Sequence, residues 1–323
     1  MQYTVLGNTG IRVSELCFGT MSFGSTADER MSAALFERCL DSGINFFDCA
    51  NIYAGTESER ILGRLMHGKR DDLVITSKVC FPVGDGVNDR GLSRRHIMMQ
   101  IDATLSRLGT DRLDFYFLHS FDPDTAIEET LRAMDDLVRA GKILYPAVSN
   151  WAAWQIAKGL GIAALEQLAP FQCIQPMYNL AKRQAEVELL PLAQSENLGV
   201  IPYSPLGGGL LTGKYSTKSK PKHGRLVEHE LYVKRYGATS NYEIAETFAK
   251  YAAQKSVHPA TLAVAWVASH PAVTAPIIGA RTVDQLEASL AAADVELTAQ
   301  ERREISAISP EPPPATDRSE ELN

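Results

Sequence analysis

Eight short runs of apolar, strand-forming residues recur along the chain: LCFGTM from 16, INFFDCA from 44, DLVITSKV from 72, RLDFYFLHS from 112, KILYPAVSN from 142, FQCIQPMYN from 171, LGVIPYSP from 198 and AVTAPIIGA from 272. The first seven begin 27 to 40 residues apart, the length of one strand, one helix and two turns. Between them the apolar period changes to that of a helix: Ile97, Ile101, Leu105 and Leu108 form one stripe within 93–108, and Ile127, Leu131, Met134 and Leu137 another within 126–140. Strands apolar on both faces, separated by amphipathic helices, predict a parallel sheet. Eight of them predict an α/β chain closed into a (β/α)8 TIM barrel, with a doubly wound open sheet as the rival.

Three segments depart from the repeat. YTVLGNTGIRVS predicts an N-terminal β-hairpin, turning at Asn8, Thr9 and Gly10 and capping one end of the barrel. About seventy residues separate the seventh and eighth strands, and their polar, Lys-rich part from Thr212 to Arg225 reads as a long mobile loop. PEPPPATDRSEELN has too little apolar content to pack, so residues 1–309 are read as one barrel domain and 310–323 as a flexible tail.

Composition narrows the function classes. With 323 residues and 45% hydrophobic content the chain can bury a large core, and its net charge of -7 argues against a nucleic-acid partner. No apolar run approaches a membrane span, and MQYTVLGNTG lacks the layout of a signal peptide, so a cytoplasmic protein is expected. The five cysteines, at 17, 39, 49, 80 and 173, contain no CxxC pair, which speaks against a disulfide framework or a metal site.

The chemistry sits where each strand ends: Gly19 and Thr20, Asp48, Lys78, His119, Ser149 and Asn150, Gln175, Tyr203 and Ser204, then Gly279 to Arg281. In a (β/α)8 barrel these ends share one face, where active sites of this fold are built. Singly, each residue reads as a cap, a surface lysine or a satisfied histidine. Jointly, Asp, Lys and His ending three successive strands, with Tyr53 five residues beyond the Asp, suit protonation of an oxyanion. A phenol has a reference pKa of about 10, and lowering it by about 3 units takes roughly 4 kcal/mol, which a desolvated Lys78 held by Asp48 would supply. His119 would polarise a carbonyl oxygen. Thr56 and Glu59 read instead as a capping box, T-x-x-E, opening the next helix.

FDCANIYAGTESERILG, VITSKV, FYFLHS, AVSNW, IQPMYN, PYSPLGGGLLTGKY and PIIGARTVDQLE, in this order over nearly the whole chain, resemble the signatures of the aldo-keto reductase superfamily. The resemblance implies a catalytic tetrad of Asp48, Tyr53, Lys78 and His119, with Tyr53 as proton donor in the reduction of a small carbonyl substrate. It further implies NADP(H) lying across the barrel mouth beside Gly19, Thr20 and Gly279. The carboxamide is held by Ser149, Asn150 and Gln175, the ring stacks on Tyr203, and the pyrophosphate lies by Ser204, Leu206, Gly207 and Lys214. GGGLLTGK is no P-loop, because Tyr215 stands where a P-loop needs Ser or Thr. Its glycines and Lys214 still suit a pyrophosphate. GARTVDQLEAS opens a helix after the eighth strand, where Arg281 and Gln285 would meet the 2′-phosphate and ribose.

Two departures from the family pattern are visible. Ala288 and Ser289 stand where the family often has Glu-Asn, and Pro146 and Ala147 interrupt the fifth strand, where Pro146 must forfeit a ladder bond or bulge. Met21, Phe23, Phe81 and Trp151 are the candidates for an apolar substrate pocket. The pattern does not separate aromatic aldehydes, sugars, small dicarbonyls or steroid ketones. Two rival classes remain at this level: a Schiff-base lyase using Lys78, and a cofactor-sensing binding subunit of the kind that attaches to potassium channels.

Overall fold

The computed structural model describes residues 1–219 and 221–316. The antiparallel hairpin comes first, β1 (Tyr3–Val5) pairing with β2 (Arg12–Ser14). The repeat follows as β3 (Cys17–Gly19), α1 (Glu29–Asp41), β4 (Phe46–Asp48), α2 (Glu57–Leu65), β5 (Val74–Val79), α3 (Arg94–Leu108), β6 (Leu113–Leu118), α4 (Ile127–Arg139), β7 (Ile143–Ser149), α5 (Ala153–Glu166), β8 (Cys173–Gln175), α6 (Leu189–Ser195) and β9 (Gly199–Val200). Then come α7 (Arg225–Glu228), α8 (Glu230–Tyr236), α9 (Thr239–Gln254), α10 (Pro259–Ala268), β10 (Ile277–Ile278), α11 (Val283–Leu290) and α12 (Ala299–Ser306).

All eight expected strands form, and all are parallel, in the spatial order β10-β3-β4-β5-β6-β7-β8-β9. β9 and β10 are short because Pro202 and Pro276, which have no N–H, flank them. The remaining gap is closed by Ala275 N and Ile277 N, which donate to the carbonyls of Val200 and Pro202 at 3.2 and 2.9 Å. The sheet is therefore a (β/α)8 barrel and not an open doubly wound sheet.

Strand residues alternate between two apolar environments. Phe46, Val74, Phe115, Phe117, Ala147 and Cys173 fill the barrel interior, while Phe47, Ile75, Tyr116, Leu118 and Val148 face the helices. α3 and α4 bury the stripes expected of them, including Ile97, Ile101, Leu131 and Met134. The hairpin plugs the end of the barrel where the strands begin. Leu6 is fully buried against the interior cluster, and Gly7 is left-handed (φ 56°), where a Cβ would come within 2.7 Å of Gly199 N and 2.8 Å of Gln172 O.

Three local expectations are corrected or refined. Thr56 does not cap α2: it is left-handed (φ 81°) and its side chain accepts no capping bond, because Glu59, the other half of the expected box, is drawn into the protein interior. Pro146 causes no bulge. β6 and β7 stay in register on both sides of it, Phe115 opposite Tyr145 and Phe117 opposite Ala147, and its carbonyl still accepts from Gln172 N at 3.0 Å. Between Gly213 and Gly224 the described residues form neither helix nor strand, whereas α7 and α8 beyond them cover the preceding glycine turn. The expected tail has no regular structure over 310–316, and 317–323 lies outside the described residues.

Leu6→Ala removes the plug from a site closed on every side, and an unfolding free energy lower by about 2–5 kcal/mol is expected in urea titration.

Candidate active site

The inward row of each strand continues past the apolar core into polar residues at the opposite end. Phe46 is followed on that face by Asp48, Val74 by Thr76 and Lys78, Phe117 by His119, Ala147 by Ser149, and Cys173 by Gln175. Period two alone thus delivers these side chains to one mouth.

At its centre is a buried ion pair. Lys78 Nζ lies 2.6 Å from Asp48 Oδ2, with side-chain exposures of 0% and 3%. The ammonium also donates to Cys49 O at 2.7 Å and to the Tyr53 hydroxyl at 3.3 Å, and lies 5.0 Å from the Tyr53 ring centre. The other carboxylate oxygen of Asp48 accepts from Thr76 Oγ1 at 2.8 Å and from Gln175 Nε2 at 2.9 Å. Burial disfavours the ammonium, yet Asp48 and Tyr53 outweigh it and hold the Lys78 pKa above its ordinary value.

Tyr53 differs from the expectation. Lys78 does pull its pKa down, but desolvation wins and pushes the phenol up to about 12, so Tyr53 keeps its proton. The Tyr53 and His119 rings meet edge to face at 6.2 Å, and Phe81 packs on the other side of His119 at 4.6 Å. Burial first, and then the Lys78 charge, hold the His119 pKa well below that of free imidazole, and its Nδ1 is buried without a partner. His119 is therefore a neutral imidazole.

Beside this group lies a tier of amides and hydroxyls. Ser149 Oγ donates to Gln175 O at 2.9 Å, Asn150 Nδ2 donates to His119 O at 2.9 Å, and the Tyr203 hydroxyl donates to Asn150 Oδ1 at 2.7 Å. Thr20 is buried and donates to Asp48 O at 3.1 Å. Gly19 sits so tightly against β10 that a Cβ would lie 2.8 Å from Ile277 Cγ2.

Further round the mouth, Ser204, Gly207, Gly208 and Gly209 are all left-handed, at φ 58°, 58°, 68° and 100°, with Leu206 half-buried among them. Gly208 leaves room for Tyr232 of α8, whose Cδ1 would be 2.6 Å from a Cβ, and a Cβ on Gly209 would lie 3.5 Å from Lys214 Nζ. The Lys214 pKa is lowered by burial and by the charges of Arg281 and Arg225, so three cations crowd one place. Thr282 caps α11 by accepting from Gln285 N at 3.3 Å, and Gln285 Oε1 accepts from Arg281 N at 3.2 Å, which leaves Gly279, Arg281 and Gln285 around the helix start. Glycine turns, a helix N-terminus and clustered cations are groups that suit the phosphates of a dinucleotide.

Of the four proposed pocket walls, Met21 and Phe81 are 44% and 37% exposed at the mouth. Phe23 is corrected: it is fully buried, its ring centre 5.7 Å from that of Phe18, and it has no surface exposed at the mouth. Trp151 is also buried, wedged between Phe121 and Phe171. It borders a cavity of about 190 Å³ shared with Asn150, Gln175 and Met177. Thr76 and Arg225 are residues that motif reading missed, and Glu59 it took only for half of a capping box. Alternation from Lys78 would have found Thr76.

Comparison with known proteins gives matches over most of the chain. The model of the Aldo/keto reductase family matches residues 15–310. An uncharacterized oxidoreductase, YrpG, of Bacillus subtilis is 37% identical over 97% of both chains. A probable voltage-gated potassium channel subunit beta of Oryza sativa subsp. japonica is 37% identical over 91% of this chain and 92% of its own. The versiconal hemiacetal acetate reductase of Aspergillus parasiticus is 31% identical, over 93% and 95%. No helix among the described residues is long and apolar enough to cross a membrane.

By imidazole NMR, His119 should stay neutral well below the pH at which a free imidazole titrates, because both causes of its shift oppose protonation. As pH falls below about 6.5, only the unfolded chain gains this proton, so the site is expected to cost stability in acid. Titration of His119 near pH 6.5 would contradict the placement.

Proposed function

The chain belongs to the aldo/keto reductase family, and from that premise we propose that it is an NADP(H)-dependent oxidoreductase that reduces an aldehyde or ketone to an alcohol, with Tyr53 as proton donor. The observation that carries the reading is a phenol hydroxyl 3.3 Å from a buried lysine that is itself held by Asp48 at 2.6 Å. When bound, the nicotinamide supplies a hydride to the carbonyl carbon.

The chain's own residues manage the oxygen. Charge developing there needs donors aimed at it, and the Tyr53 hydroxyl and the neutral His119 imidazole flank the place where it forms. Tyr53 gives up its proton, and Lys78 stabilises the phenolate left behind. Because burial keeps the phenol protonated beforehand, the attraction of Lys78 acts mainly on the ionised form, so it strengthens toward the transition state. Ser149, Asn150 and Gln175 would hold the carboxamide, Tyr203 would carry the ring, and Ser204, Leu206, Gly207 and Lys214 would line the pyrophosphate. Arg281, joined by Arg225, would meet the 2′-phosphate, with Gln285 on the ribose and Gly19, Thr20 and Gly279 leaving space. Five buried, unpaired thiols suit a reducing cytoplasmic setting.

Lys78 does not suit Schiff-base chemistry. Its three N–H groups point at Asp48, Cys49 O and Tyr53, and its raised pKa leaves no lone pair for attack on a carbonyl. The channel-subunit relative favours one second reading, a cofactor-sensing subunit with negligible turnover. Turnover itself separates the two.

Tyr53→Phe is expected to lower kcat for NADPH oxidation, assayed against a panel of carbonyls, by about 10²–10⁴ while leaving NADPH binding intact. Wild-type turnover in that variant would remove Tyr53 as donor. Arg281→Ala should weaken NADPH about ten- to a hundred-fold and leave NADH affinity unchanged, as read by fluorescence titration.

A further inference from the structure

The link from Tyr53 to α2 is strained. Ala54, Gly55 and Thr56 are left-handed in succession, at φ 50°, 60° and 81°. Two of the three are not glycine, and a residue with a Cβ adopts this conformation only at a cost in backbone strain. It persists only if both its ends are fixed. The Tyr53 hydroxyl makes one long hydrogen bond, to Lys78 at 3.3 Å, beside ring contacts with Lys78 and His119. The other end is held firmly, by side chains the chemistry does not otherwise use. Glu59, in the first turn of α2, is fully buried on the outer side of the barrel wall. One of its oxygens accepts from Ser77 Oγ at 2.5 Å and the other from Arg107 Nε of α3 at 2.5 Å, the guanidinium being only 12% exposed. Ser58, one position earlier, donates to Thr20 O at 2.8 Å.

Ser77 is the residue between Thr76 and Lys78 on β5. Its two neighbours point into the barrel and hold Asp48, while Ser77 points out and holds α2. A single strand therefore fixes the lysine on one face and the tyrosine's helix on the other.

We propose that the Glu59–Ser77–Arg107 cluster is a positioning clamp that holds the strained turn and thereby sets the reach of the Tyr53 hydroxyl to Lys78 and the reacting oxygen. This rests on Tyr53 being the proton donor. The clamp touches neither substrate nor cofactor; its residues are positioning residues.

Ser77→Ala removes one bond and leaves the buried Glu59–Arg107 pair intact, so it keeps the fold where Glu59→Gln risks it. Both variants are expected to lower kcat for carbonyl reduction about ten-fold or more, with KM and the NADPH dissociation constant unchanged. A purely structural role would lower the melting temperature without that split. Adding Ala54→Gly and Thr56→Gly to Ser77→Ala removes the strain that the clamp opposes and should restore part of kcat, whereas the glycines alone in the wild type should not raise it. A folded Ser77→Ala enzyme with wild-type kcat, beside an inactive Tyr53→Phe, would overturn the clamp. An active Tyr53→Phe would overturn the donor assignment and the clamp with it.

Discussion

A lysine and an aspartate buried together, 2.6 Å apart at the barrel mouth, are the constraint around which the rest is arranged. Taking two such charges out of water costs several kcal/mol each, and their attraction offsets this only when every remaining donor and acceptor is satisfied. Here the ammonium has three acceptors, and the carboxylate accepts from Lys78, Thr76 and Gln175. Gln175 lies 127 positions along the chain from Asp48. Satisfying the pair therefore requires β4, β5 and β8 to be delivered to one place, which only a closed sheet does. An apolar pair of equal volume would stabilise such a site at least as well, so the ions are best understood through what they do to Tyr53.

The same economy governs the backbone. Left-handed residues other than glycine are uncommon, yet Ala54, Thr56, Cys80, Asn150 and Ser204 all follow strand ends on the mouth side. Each turns the chain sharply where the inward row must stop and a side chain must be aimed. A barrel stapled by a parallel ladder and plugged at the opposite end by Leu6 can bear these local costs, so the mouth holds geometry that an isolated loop would not keep.

Most of this was legible in the chain. Eight apolar runs at even spacing define the barrel, and residues at strand ends are placed by alternation alone, so Asp48, Lys78, His119, Ser149 and Gln175 could be found without coordinates. What escaped depends on three-dimensional packing. Phe23 and Phe81 are both aromatic residues just past a strand, but Phe23 folds back onto Phe18 while Phe81 lies over His119, and nothing local distinguishes them. Thr56 and Glu59 have the spacing of a capping box. Ser77 and Arg107, 18 and 48 positions from Glu59, draw the carboxylate away from that role. The pKa of Tyr53 escapes a motif for a related reason. A nearby ammonium is visible in a motif, whereas the desolvation that outweighs it is a property of the whole mouth.

Why the anchoring of α2 lies behind the barrel wall follows from what the mouth must accommodate. Any carboxylate placed there to tie down the tyrosine's helix would repel an anionic dinucleotide and would compete for Lys78, raising the phenol's pKa further. Any exposed bond would be screened by water and worth little. The outer face of β5 avoids both problems: it is dry, it is one residue away from the lysine, and α3 brings an arginine to neutralise the buried charge. Alternation in a strand is usually described as separating core from solvent. In this barrel both faces of β5 are buried, and the two rows are used to set one distance from opposite sides of the wall.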